Sequence, residues 1–176
     1  IITTHFFCYT TLMKRRDFIK FTTISAILFS TNISIAKNIP SQTLLVLDEV
    51  LNIIFPKTST MPGAKEFKAL EYLIKNISNK TFDDEDKTLI LDGTKDFISS
   101  FPQFLTSNEK EKKELIFEII KNSAYAKSWV SKITYYGIEA MFSDPIYGGN
   151  FNQIAWQSVN HAVGIPQPLK TYGQKI

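Results

Sequence analysis

The sequence predicts an all-α fold, a single compact domain of about five or six helices following an N-terminal signal segment. Three observations carry that reading. Apolar residues recur at three- and four-residue steps almost throughout residues 37–176. No alternating polar–apolar run persists long enough to make a strand. The breaks fall where Pro, Gly and helix-capping residues gather, at spacings that suit ordinary helices and short connections. About 140 residues are enough for one domain with a real core.

Taken in order, Ser41 is placed to cap a first helix in which Leu44, Leu45, Leu47, Leu51 and Ile54 share a stripe. Phe55-Pro56 ends it, because a residue before proline avoids the helical region. After the loop at 57–63, Pro62 suits the first turn of a second helix carrying Phe67, Leu70, Ile74 and Ile77. Thr81-Phe82-Asp83-Asp84 opens a third, with acids in the first turn where the helix dipole favours them. Leu89, Phe97, Ile98 and Phe101 form its apolar side, Gly93 weakens its middle and Pro102 stops it. Thr106 and Glu109 have capping-box spacing. A long helical stretch then runs to Phe142, with Leu115, Ile116, Ile119, Ile120, Val130, Ile133 and Met141 inward. It is one helix, or two broken near Asn122-Ser123.

The first 36 residues are of another kind. From Met13 the chain reads MKRRDFIKFTTISAILFSTNISIAKN. A charged start, a short apolar middle and small residues ending at Ala36 make a secretory signal. The apolar run falls short of the ~20 residues of a membrane span. Arg15-Arg16, with Phe18 and Lys20 behind, resembles a twin-arginine signal, the leader of proteins exported already folded. An ordinary secretory signal or a retained anchor is the alternative. Residues 1–12 lie upstream of Met13, the expected start. The segments are therefore 1–36, upstream residues and signal, and 37–176, the helical domain.

Charge and rare residues narrow the chemistry. The chain is +3 overall, yet residues 37–176 hold 16 basic and 16 acidic side chains and no arginine. That balance gives a poor nucleic-acid binder, since phosphate neutralisation needs clustered cations. The basic run Lys110–Lys113, interleaved with glutamates, reads as a solvated helix face. Cys8 is the only cysteine, so residues 37–176 offer no disulfide, thiolate nucleophile, iron–sulfur ligand or haem attachment. His161 is their only histidine, which leaves no histidine-rich metal site. No catalytic, cofactor-binding or metal-binding residue is expected in this chain.

The least ordinary stretch is SDPIYGGNFNQIAW, 143–156. Asp144-Pro145 stops the preceding helix, and Gly148 and Gly149 permit positive φ at two successive positions. Asn150 is placed to cap a last helix, with Gln153 reaching back, Ile154, Val159 and Val163 as its stripe and Gly164 as its C-terminal cap. The two glycines lack the flanking residues of a dinucleotide or P-loop phosphate site. Tyr147 and Trp156 are either core residues or aromatic anchors for a partner.

GIEAMFSDPIYGGNFNQIAW, with LNIIFPKTSTMPGAKE at 51–66, is similar to the signature of the gluconate 2-dehydrogenase subunit 3 family. Tyr72-Leu73-Ile74 and the acids at 83–86 fit the intervening pattern. The family often closes on Gly-Trp and Pro-Gly-Pro where this chain has Ala155-Trp156 and Gly164-Ile165-Pro166-Gln167-Pro168. The resemblance implies a non-catalytic small (gamma) subunit that assists folding, assembly and twin-arginine export of a large FAD-dependent dehydrogenase subunit. It implies FAD and c-type haem in partner subunits, the latter in a multi-haem cytochrome c, and a periplasmic complex held at the membrane. The partner-facing candidates are Asp144, Pro145, Tyr147, Gly148, Gly149, Asn150 and Trp156. Two rivals stand beside it: a free-standing helical periplasmic binding module, and a hydrolytic enzyme using Glu139 and Asp144.

Overall fold

The structure is a computed structural model that describes residues 39–162 and 164, all within the unit Ile35–Ile176. The leader residues Arg15, Arg16, Phe18, Lys20 and Ala36 lie outside the described residues, as do Val163 and Pro166. Six α-helices and three short 3-10 turns make up the described part, and no strand occurs among the described residues.

Helix α1, Ser41–Ile54, is the central one. It touches α2 (Ala69–Ile77), α3 (Asp84–Ser100), α4 (Glu109–Asn122) and α5 (Ala124–Phe142). Its burial fits that place: Thr43 to Leu47, Val50 and Leu51 are all buried, more than one stripe. Ser41 is its first residue and makes no capping bond; Pro40 holds the cap position. Helix α5 is the second organiser, touching α1, α2, α3, α4 and the last helix α6 (Ile154–Ser158).

The structure shifts several expected boundaries. Pro62 stays in the loop, and α2 begins only after Lys68, held left-handed at φ 60°. Phe67 is fully buried from that loop. Asp83 caps α3 by accepting from the Asp86 N–H, with Asp84, Glu85 and Asp86 in the first turn. The capping box belongs to Asn108 and Glu111. Thr106 lies too early to cap: it ends the 3-10 turn Phe104–Thr106, and its hydroxyl donates to the Gln103 carbonyl at 2.8 Å. The long stretch is two helices, broken at Ser123 (φ −135°, ψ 119°), whose Oγ accepts from the Ala126 N–H.

Two burial expectations also change. On α3 the buried face is Ile90, Gly93, Thr94 and Phe97, with Leu89, Ile98 and Phe101 only partly covered. Gly93 is there for close approach: a Cβ would lie 2.6 Å from Cδ1 of Trp129. Trp129 in turn stacks on Phe97 at 5.1 Å and donates its indole N–H to Thr94 Oγ1. On α4, Lys112 is not solvated. It is buried and bonds Glu49 of α1 at 2.9 Å, while Leu115, Ile119 and Ile120 are half-covered.

Candidate subunit interface

The chain leaves α5 through Ser143 and Asp144, both extended, and Asp144 Oδ1 accepts from the Ile146 N–H at 3.0 Å. That bond and Pro145 start a 3-10 turn, Pro145–Tyr147. Gly148 closes it at φ 103°, a conformation open to glycine at little cost. Gly149 is needed for a different reason. Its φ is not positive, but a Cβ there would lie 2.3 Å from the Ala140 carbonyl oxygen. The turn folds back hard onto α5.

Asn150 is completely buried. Its Nδ2 donates to the Ser143 carbonyl at 3.2 Å, and its Oδ1 accepts from the Ala155 N–H at 2.9 Å. It clamps the end of α5 to the start of α6 instead of forming a box with Gln153. Helix α6 is only five residues long. It ends in a Schellman motif: Asn160 is left-handed at φ 53°, its N–H reaches Gln157 O, and the His161 N–H reaches Trp156 O at 2.8 Å. Asn160 therefore takes the role expected of Gly164, and Val159 is exposed. His161 is exposed at the turn, its ring edge-on to Trp156.

The seven partner-facing candidates do not share one surface. Gly149, Asn150 and Trp156 are buried, and Trp156 donates its indole N–H to the Phe142 carbonyl at 2.9 Å. Asp144, Pro145 and Gly148 are half-covered. Only Tyr147, 38% exposed, faces out. The loop at 56–68 supports the turn: Lys68 Nζ sits 3.7 Å over the Phe151 ring, and the Ser158 hydroxyl meets Met61 Sδ. The two segments that carry the family resemblance are thus neighbours in space.

Tyr147 joins a surface that the periodicity did not reveal. Helix α5 exposes Tyr135 (53%), Ile138 (50%) and Phe142 (43%) at one-turn steps. These line, with Tyr147, a groove of about 730 Å³ against Tyr72, Asn76 and Phe82. Glu139 also lines it and accepts from the Tyr72 hydroxyl at 3.2 Å. Burial, then the neighbouring Glu139, holds the Tyr72 phenol well above its ordinary pKa. A hydrogen bond to Glu139 raises Tyr135 as well. Beside them, Tyr136 donates to Asp86 at 2.7 Å, and Lys132 pairs with the same carboxylate at 2.8 Å. Burial works to raise Asp86, but the bonds from Lys132 and Tyr136 outweigh it and leave the carboxyl below its ordinary value. A second concavity, about 390 Å³, lies between α3, α4 and α5 over Phe97, Leu115, Ile119 and Trp129.

Among the described residues no group of three or more His, Cys, Asp or Glu is placed to hold a metal ion. No helix among them is long and apolar enough to cross a membrane.

A clamped reversal on a helical domain, beside an exposed aromatic face, is the architecture of a protein shaped around its last turn. The sequence model of gluconate 2-dehydrogenase subunit 3 matches residues 41–164, and the chain belongs to that family. No curated protein and no solved structure matches it.

Proposed function

We propose that this chain is the non-catalytic small subunit of a periplasmic, FAD-dependent dehydrogenase of the gluconate 2-dehydrogenase type, and that it docks its flavoprotein partner through the α5 face. The observation that carries the docking reading is the exposed row Tyr135, Ile138, Phe142 and Tyr147. A row of large apolar and aromatic side chains along one helix and the turn that follows it is costly to leave in water and typical of an interface core. Family membership supplies the kind of partner. In this reading FAD and c-type haem belong to the partner subunits, the latter to a multi-haem cytochrome c. Arg15-Arg16, read by the twin-arginine translocase, take the folded pair to the periplasm.

Co-expression with a large flavin dehydrogenase subunit of the gluconate 2-dehydrogenase type from the same organism tests the proposal. The two chains should co-elute, and the large subunit should lose bound FAD or solubility when this chain is omitted. A large subunit that folds, loads flavin and is exported equally well alone contradicts it. The apolar concavity between α3 and α4 favours a second reading, a free-standing binding module, which predicts a stable lone chain without any flavoprotein partner.

A further inference from the structure

The groove on the α5 face holds an unusual combination. Glu139 is a half-buried lining residue, and its side-chain partners among the described residues are phenols, Tyr72 and Tyr135. No lysine among the described residues pairs with it. Lys132 pairs with Asp86 and lies 5.6 Å from the centre of the Tyr135 ring, and Lys75 donates to the Ile146 carbonyl at 3.2 Å. The Ser143 hydroxyl is buried behind this wall, beside the Tyr72 phenol. The rings of Phe82, Tyr135, Phe142 and Tyr147 line the rest.

A partly desolvated carboxylate without a counter-charge is costly. It calls for a ligand with a positive charge and more than one N–H donor. Aromatic faces around it add attraction for a cation. Guanidinium meets both demands, because its planar fork can bond a carboxylate with two N–H groups and stack flat on a ring, which an ammonium cannot do together. The groove is far larger than one guanidinium, so the rest of its apolar wall needs a protein surface to cover it. The domain itself, residues 37–176, has no arginine to offer.

We infer that the groove is an arginine-receiving cage, in which Glu139 takes the guanidinium of an arginine carried by the partner subunit while Tyr135, Phe142 and Tyr147 enclose it. This rests on the subunit reading above and names the contact that would fix the register of docking.

The test uses the full-length chain, labelled with ¹⁵N, and two probes: N-acetyl-arginine methylamide and its uncharged analogue N-acetyl-citrulline methylamide. The arginine probe should shift the amides of Tyr135, Glu139 and Ser143 and bind roughly tenfold tighter than the citrulline probe. Glu139→Gln, which keeps an acceptor for Tyr72, should reduce arginine to the citrulline level. Tyr135→Leu, at an exposed position, should weaken it several-fold, roughly as loss of one cation–aromatic contact does. Equal binding of the two probes, or shifts confined to another face, overturns the cage. Co-elution with the flavoprotein separates the two claims. A complex that never forms with the wild-type chain overturns the subunit reading, whereas one formed equally well by Glu139→Gln overturns the cage alone.

Discussion

Trp156 donates its indole N–H to the carbonyl of Phe142, 2.9 Å away, and so fastens the last helix to the end of α5. Phe142 O is an end-of-helix carbonyl that would otherwise lack an intrahelical partner. The bond explains why an aromatic with a donor stands at 156. Trp156→Phe should therefore destabilise the domain by about 1–2 kcal/mol, from the lost bond and the smaller ring. Thermal unfolding should shift down by roughly 3–6 °C. An unchanged midpoint would mean that the indole N–H contributes nothing.

The two adjacent glycines make a sharper pair. At Gly148 the constraint is φ 103°, and an added Cβ would meet only the flexible Lys75 side chain, at 3.2 Å. Gly148→Ala should cost about 1–2 kcal/mol of backbone strain. At Gly149 the Cβ would strike backbone, 2.3 Å from Ala140 O and 2.8 Å from Ala140 Cα. Gly149→Ala should cost more, about 2–4 kcal/mol, because the turn must lift off α5. Urea titrations of the two variants decide the order; Gly148→Ala as the more damaging would contradict this geometry.

Asp86 gives a pH signature. Its carboxyl is held below the ordinary aspartate value by Lys132 and Tyr136. A depressed native pKa contributes stability that is present above the unfolded pKa, about 3.9, and lost as pH falls through the native value. The stability difference between wild type and Asp86→Asn should be largest near neutral pH and shrink below about pH 4. A difference that stays constant from pH 7 to pH 3 would show that Asp86 is not paired in solution.

Much of the helix plan could be read from local chemistry. The acids after Asp83, the break at Ser123 and the stop before Pro145 each need only a few neighbouring residues to be recognised. What escaped is non-local. Gly93 looks like a weak point until Trp129, on another helix, is seen lying against it. Lys112 looks solvated until Glu49 supplies its partner. The residues of the reversal were legible as a turn, but the buried role of Asn150 depends on both Ser143 and Ala155. The α5 face was missed because Tyr135, Ile138 and Phe142 follow the same helical period as core residues, and only the absence of a covering helix distinguishes them.

The leader makes a prediction of its own. If Arg15-Arg16 is read by the twin-arginine translocase, changing both to lysine should leave the chain and its flavoprotein partner in the cytoplasm, with the domain still folded. Fractionation of cells producing the variant measures this. Export undiminished by the double change would assign the leader to the general secretory route.

The most direct test of the central claim is Ile138→Asp in the co-expressed pair. Ile138 is half exposed on α5 and stands between Tyr135 and Phe142 along the helix. The variant should leave the thermal midpoint of the isolated chain within about 1–2 °C of wild type, as surface substitutions usually do. A charge at the centre of a docking face should nevertheless remove most co-elution with the flavin-containing subunit, at least roughly tenfold by loss of about 1.4 kcal/mol or more. Full recovery of the complex with Ile138→Asp would contradict the account and place the interface on another face of the domain.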